Sequence, residues 1–239
     1  MDYTKFGTKP YSHSTTQFDS GLRAYMISVY KNMAIALIVT AMISMMVTSS
    51  PALMMTLFGS PLSWVVMLAP VGIAMYMGFK LHTMSASSAR NLLYIYAATI
   101  GLSLAGIFMI YTGESIARTF FITASTFGAM SIYGYTTQKD LTALGSFLMM
   151  GIIGILLASV VNLLMQSSAL AFAISILSVV LFTALTAYDT QRIKGMYFEV
   201  SNSQDDTDKI AIYGALQLYM DFINLFVALL RFFGDRRSE

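Results

Sequence analysis

One carboxylate in this sequence stands where a carboxylate is costly. Asp221 lies within Leu216-Gln217-Leu218-Tyr219-Met220-Asp221-Phe222-Ile223-Asn224-Leu225-Phe226, an apolar run close to the C-terminus. Gly214, Gln217, Asp221, Asn224 and Ala228 recur at helical spacing, so a helix here carries one small or polar face while Leu, Phe and Ile cover the others. An ionised Asp at the centre of a membrane helix costs roughly 2.5–3.5 kcal/mol, so it must find a partner, water or a proton. The best candidate partner is Asp189, in Ala187-Tyr188-Asp189-Thr190-Gln191. Two carboxylates close together and away from water do not both ionise cheaply, and would share a proton. The same pair offers the hard oxygen ligands that calcium prefers, with Gln217 and Asn224 continuing the polar stripe. In the competing reading Asp189 faces the lipid headgroups, or a basic neighbour such as Arg192 or Lys194.

Other chemistries lack a residue set. There is no cysteine, which removes disulfides, thiolate metal sites and thiol nucleophiles. There are only two histidines, His13 in a polar N-terminal stretch and His82 beside a basic loop, which argues against a histidine zinc site and against a Ser-His dyad inside the membrane. The stretch Ser203-Gln204-Asp205-Asp206-Thr207-Asp208 lacks the glycine and terminal glutamate of an EF-hand and reads as a solvated acidic loop. The 19 methionines read as apolar packing, since no histidine or cysteine accompanies them. The last apolar segment has no lysine for a retinal Schiff base. With neither a nucleophile–base set nor a phosphate-binding glycine loop, the chain does not read as an enzyme and implies no cofactor beyond transient calcium. Basic residues are sparse and juxtamembrane, which argues against nucleic acid.

The elements that must position the two aspartates are membrane helices. Of 239 residues, 56% are hydrophobic and only 11% charged, against about a quarter charged in a typical soluble domain. No charge occurs between Lys31 and Lys80, Arg90 and Glu114, Arg118 and Lys139, or Asp140 and Asp189. A helix needs about 20 apolar residues to span the hydrocarbon core, and the first and last of these gaps hold two crossings each. The expected spans are Met33–Thr48, Leu62–Phe79, Leu92–Thr112, Thr119–Tyr135, Ala143–Met165, Ala169–Tyr188 and Ile210–Phe233. This is an all-α polytopic bundle of seven transmembrane helices: a polar cytoplasmic tail over 1–30, a membrane domain over 31–234 and a short tail over 235–239. The first 30 residues carry no apolar core of a signal peptide. Ser49-Ser50-Pro51 and Gly59-Ser60-Pro61 punctuate the first hairpin, and Pro70 kinks the second span. Gly101, Gly151 and Gly154 suit close helix contacts. Lys5, Lys9, Arg23, Lys31, Lys80, Arg90, Lys139, Arg192, Lys194 and Lys209 fall on one side, with Arg118 opposite, so the N-terminus should be cytoplasmic. Seven crossings then put the tail with Arg231, Arg236 and Arg237 outside; these arginines would be cytoplasmic only if the last segment dips in and returns or the chain has a different number of spans.

These motifs together resemble the Bax inhibitor-1 family, and most closely its bacterial YccA-type branch. Its members carry an almost identical string to Leu218-Tyr219-Met220-Asp221-Phe222-Ile223-Asn224-Leu225-Phe226 in the last helix. Tyr188-Asp189-Thr190-Gln191-Arg192-Ile193-Lys194 matches the family's helix-six segment, while Phe127-Gly128-Ala129-Met130-Ser131 and Lys139-Asp140-Leu141 match helix four and the loop after it. The resemblance spans about residues 20–235. It implies a bundle with the last helix central, a bacterial inner-membrane location, and Asp189 with Asp221 as a di-aspartyl pH sensor tied to a calcium leak. Leak-type relatives also have a basic latch near the end of helix two; the candidate counterparts here are Lys80 and His82, neither an arginine.

Two functions follow. The first is a passive, pH-gated calcium or cation leak, with Asp189 and Asp221 as sensor and cation ligands. The alternative, drawn from the YccA branch, is modulation of the membrane-anchored protease FtsH, with the polar N-terminal tail as the part engaged.

Overall fold

The computed structural model describes residues 12–80, 83–199 and 203–237. Among them the chain forms eight helices: α1 (Ser12–Thr48), α2 (Pro51–Phe58), α3 (Leu62–Lys80), α4 (Ala86–Ile110), α5 (Gly113–Thr136), α6 (Thr142–Met165), α7 (Ser168–Glu199) and α8 (Gln204–Phe233). No sheet occurs among the described residues, only one bridge between Tyr111 and Arg236. Six helices (α1, α3, α4, α6, α7 and α8) are long and apolar enough to cross a membrane, so this is an all-α membrane protein. At 24 residues α5 is long enough, but Ser115, Thr119, Thr123 and Ser131 recur along its buried face and lower its hydropathy. Thr123 Oγ1 donates to the Thr119 carbonyl at 2.8 Å and Ser115 Oγ accepts from Asp235 N at 2.9 Å, whereas Thr119 Oγ1 is buried with no hydrogen-bond partner among the described residues.

Small side chains and satisfied carbonyls explain the packing. Gly101 of α4 lies against α1 so closely that a Cβ there would sit 2.7 Å from the Thr40 carbonyl. Beside it, Ser44 donates to the Gly101 carbonyl at 2.8 Å. The Tyr219 hydroxyl of α8 meets the Thr40 hydroxyl at 2.6 Å, and that hydroxyl reaches the Ala97 carbonyl at 2.9 Å, so one buried chain ties α1, α4 and α8. α8 packs against α1, α4, α5 and α7, and 61% of its apolar stretch is buried, against 6–33% in the other five candidate spans.

Pro70 cannot donate to the carbonyl four residues back, Val66, and in a membrane no water replaces that donor. Ser103 of α4 supplies it instead, its hydroxyl 2.8 Å from the Val66 oxygen. Ser103→Ala should therefore orphan this carbonyl and cost about 1–3 kcal/mol. The expected result is a lower melting temperature of the detergent-purified protein, while Ser159→Ala, whose hydroxyl only bonds back to its own helix, changes it little.

Several expectations shift. α1 starts at Ser12 rather than near Met33, because Leu22, Tyr25, Met26, Val29, Met33 and Ala36 form a buried stripe at helical spacing. The Ser50-Pro51 break is the start of α2: Ser50 caps it by accepting from Leu53 N, and Pro51 occupies the first turn. The acidic loop is in fact the first turn of α8. Ser203 accepts from Asp206 N at 3.1 Å, Asp205 and Asp206 sit at the positive end of the helix, and both pair with Lys209, at 2.7 and 3.3 Å. Gly151 does face a neighbour, Leu181 of α7, but Gly154 has open space around it. The C-terminal tail runs beside the α4–α5 junction: Thr112 N donates to the Asp235 carbonyl at 3.0 Å, Arg237 N to the Ile110 carbonyl at 2.9 Å, and Arg118 pairs with Asp235 at 2.7 Å. α8 is one unbroken helix, so Arg236 and Arg237 lie at the same end of the bundle as Arg118.

Candidate functional site

The site lies where α7 packs on α8. Close approach here is set by residues with little or no side chain: Gly214 of α8 faces Ile193 of α7, and Gly134 of α5 rests on the Ala187 backbone. Two residues along α7, Asp189 is 7% exposed; on the facing side of α8, Asp221 is 6% exposed. Their carboxyl groups lie in hydrogen-bonding contact, although the two residues are far apart in sequence. Arg192, one turn further along α7 and exposed, is the only other charged group acting on the pair among the described residues.

The pair leaves oxygen atoms unsatisfied. Asp221 Oδ2 and Gln217 Oε1, one turn apart on α8, are both buried with no hydrogen-bond partner among the described residues. Burying an acceptor without a donor costs about 1–3 kcal/mol, so each is a place where a proton, water or cation would be welcome. Asn224 continues the stripe by one turn but is exposed, so the polar face runs from the buried pair outward to the surface of the bundle. Around the pair the remaining polar groups are satisfied within the helices: Thr190 Oγ1 donates to the Thr186 carbonyl at 2.7 Å and lies 3.5 Å from Ser131 Oγ of α5.

The N-terminal end of the bundle is held by side chains reaching between helices. Lys194 Nζ donates to the Tyr135 carbonyl at 2.9 Å and sits over the Tyr135 ring at 4.9 Å, capping the last turn of α5. Gln191 donates to the Lys139 carbonyl and accepts from Leu141 N, at 2.8 and 2.9 Å. Ala86 N donates to Asp205, and Tyr25 donates to the Ile193 carbonyl at 3.2 Å. In the same α5–α6 connection the Thr142 side chain and Thr142 N, the latter donating to Asp140 at 2.8 Å, hold the Asp140 carboxyl below the usual range.

The family model described as inhibitor of apoptosis-promoting Bax1 matches residues 22–238. The chain belongs to the Bax inhibitor-1 family. Among its relatives, the uncharacterized protein RP147 of Rickettsia prowazekii is 46% identical over 238 residues, covering all of both chains. The inner membrane protein YbhL of Escherichia coli is 42% identical over 230 residues, 95% of this chain and 98% of its own. An uncharacterized protein of Caulobacter vibrioides is 42% identical over 238 residues, 96% of this chain and 95% of its own.

In this Bax inhibitor-1 member, then, Asp189, Asp221 and Gln217 come together while Asn224 stands apart at the surface. Lys80 lies exposed in the last turn of α3 and pairs with neither aspartate; His82 lies outside the described residues. The charged neighbour of the pair is Arg192, on the same helix as Asp189. The buried hydroxyl row of α5 shows in the sequence only as a recurrence every four residues through Ser115, Thr119 and Thr123.

Proposed function

We propose that the protein is a passive, pH-sensitive leak for calcium or another cation, with Asp189 and Asp221 as its proton-responsive element. One observation carries this reading: two buried carboxyl groups in contact, one of their oxygens and the neighbouring Gln217 Oε1 orphaned, on a polar face that reaches the surface of the bundle. Two negative charges side by side without water cost far more than one. A proton relieves that cost at acid pH, and a cation can do so when the proton leaves. Calcium takes six to eight oxygen ligands, and Asp189, Asp221 and Gln217 supply too few to hold it tightly, which suits a transient site on a route.

In this reading α8 is the central helix of a seven-crossing bundle, α5 being the seventh, with the N-terminus in the cytoplasm. The lysine- and arginine-rich connections at the N-terminal end of α1 support that orientation. The protease-modulator reading, with an FtsH-type protease as partner, rests on the polar N-terminal stretch, most of which lies outside the described side chains.

The test is calcium efflux from liposomes containing the purified full-length chain, between pH 6 and 8. Efflux above that of empty liposomes and dependent on pH supports the leak. Efflux equal to empty liposomes at every pH would eliminate it.

A further inference from the structure

α1 and α5 both pack on α8, yet between them they leave a groove of about 860 Å³. Its floor is Phe222 of α8, and its walls are Met26 and Met33 on one side and Phe127 on the other. Ala124 and Gly128 deepen it, and a Cβ on Gly128 would meet nothing within 4 Å. The groove does not stop there. Leu37 and Phe222 also border a second space of about 450 Å³ that continues between the same two helices toward Arg237.

Polarity is confined to one end of the wider half. Arg23 and the side chains of Tyr30 and Tyr135 line it there, and Lys194 stands on the Tyr135 ring. Arg23 is exposed and has no acidic partner among the residues whose side chains are described. A guanidinium offers two parallel donors that match a phosphate, and tyrosines favour the depth where headgroups meet hydrocarbon. Apart from the buried Ser131, the rest of the lining is apolar, with flexible methionines that adapt to a mobile chain. A partner helix fits less well, because close helix packing wants small residues on both walls and α1 presents Met26, Met33 and Leu37.

We propose that this groove is a binding site for an anionic phospholipid, with its phosphate on Arg23 and an acyl chain laid over Phe127 and Phe222. The proposal does not depend on the leak. It predicts selectivity, not mere solvation: every outward face of the bundle meets lipid, and here Arg23 stands at the end of an apolar slot.

The experiment uses the full-length chain in nanodiscs of phosphatidylcholine with a trace of phosphatidylglycerol bearing a photoreactive acyl chain. Labelling should concentrate on residues 26–37 and 124–132. Unlabelled phosphatidylglycerol should compete about tenfold better than phosphatidylcholine, a difference worth about 1.4 kcal/mol. Arg23→Gln should bring that preference close to one while labelling persists. Gly128→Leu, placed in open space, should fill the slot and remove most of the labelling without loss of monodispersity. Labelling spread evenly onto α6, the most lipid-exposed helix, would overturn the site, as would an unchanged headgroup preference in Arg23→Gln. A second polypeptide seated in the groove and excluding the probe would overturn it in favour of a helix partner.

Discussion

Asp221→Asn should remove the pH dependence of calcium efflux while leaving a folded, monodisperse protein. Asn keeps the shape of the side chain and supplies a donor that Asp189 can accept, so the contact between α7 and α8 survives without the second charge. What disappears is the group that must give up a proton. In the wild type, efflux should change about tenfold or more over the pH range in which the pair exchanges its proton. In the variant the profile should be flat to within about twofold over the same range. Asp189→Asn should behave alike, because either substitution dissolves the pair. The double variant should add little to either single one, as expected of groups that act as a unit. A pH profile kept intact in both single variants would show that the response resides elsewhere, and would return Asp221 to a packing role.

The exposed neighbours of the pair sharpen this test. Arg192 acts on Asp189 from the adjacent turn, so Arg192→Gln should shift the pH at which efflux changes without abolishing the change. Lys80→Gln should leave the profile alone in the conformation described, since Lys80 pairs with neither carboxyl. A profile displaced by Lys80→Gln but not by Arg192→Gln would mean that another arrangement of α3 governs the response.

Much of this was readable from local chemistry, and the part that was not has a common cause. Asp221 is conspicuous because its flanks are apolar, so its burial follows from composition alone. Its pairing with Asp189 did not follow, since depth along a helix axis depends on how α7 and α8 slide past each other. Spacing left it open against headgroups and Arg192, and it took the resemblance to favour it. The start of α1 was missed because its core stripe faces protein rather than lipid. Leu22, Tyr25, Met26 and Val29 alternate with polar residues, so average hydropathy stays low while the helical periodicity is intact. Asn224 was placed with Gln217 on one stripe, but that stripe is wider than the interface with α7, and its outer edge is exposed. The donor that rescues the Val66 carbonyl was beyond reach, because nothing local to Pro70 says that Ser103 of another helix stands opposite.

Gly134→Ala and Gly154→Ala should move stability in opposite directions, although both replace a helical glycine by the same residue. Taken alone, Ala favours a helix over Gly by up to about 1 kcal/mol. At Gly154, on α6, an added Cβ meets nothing within 4 Å, so that preference should appear as a slightly higher melting temperature. At Gly134, on α5, the Cβ would overlap the Ala187 carbonyl and lie 2.9 Å from the Ala187 Cα. Those are backbone atoms of α7, which cannot rotate away as a side chain would, so the helices must part. Overpacking costs about 1–3 kcal/mol where neighbours can yield, and here the cost should reach or exceed the upper end. Gly145→Ala should fall between the two, because its obstacle is the far end of the Tyr188 side chain, which can swing aside. The displacement at Gly134 also acts two residues before Asp189, so any folded fraction should show a weakened pH response as well as a lower melting temperature. Thermal melts of the three detergent-purified variants, with efflux profiles for those that remain monodisperse, check the order. Equal shifts at Gly134 and Gly154 would mean that the close approach of α5 to α7 does not hold the aspartate pair in place.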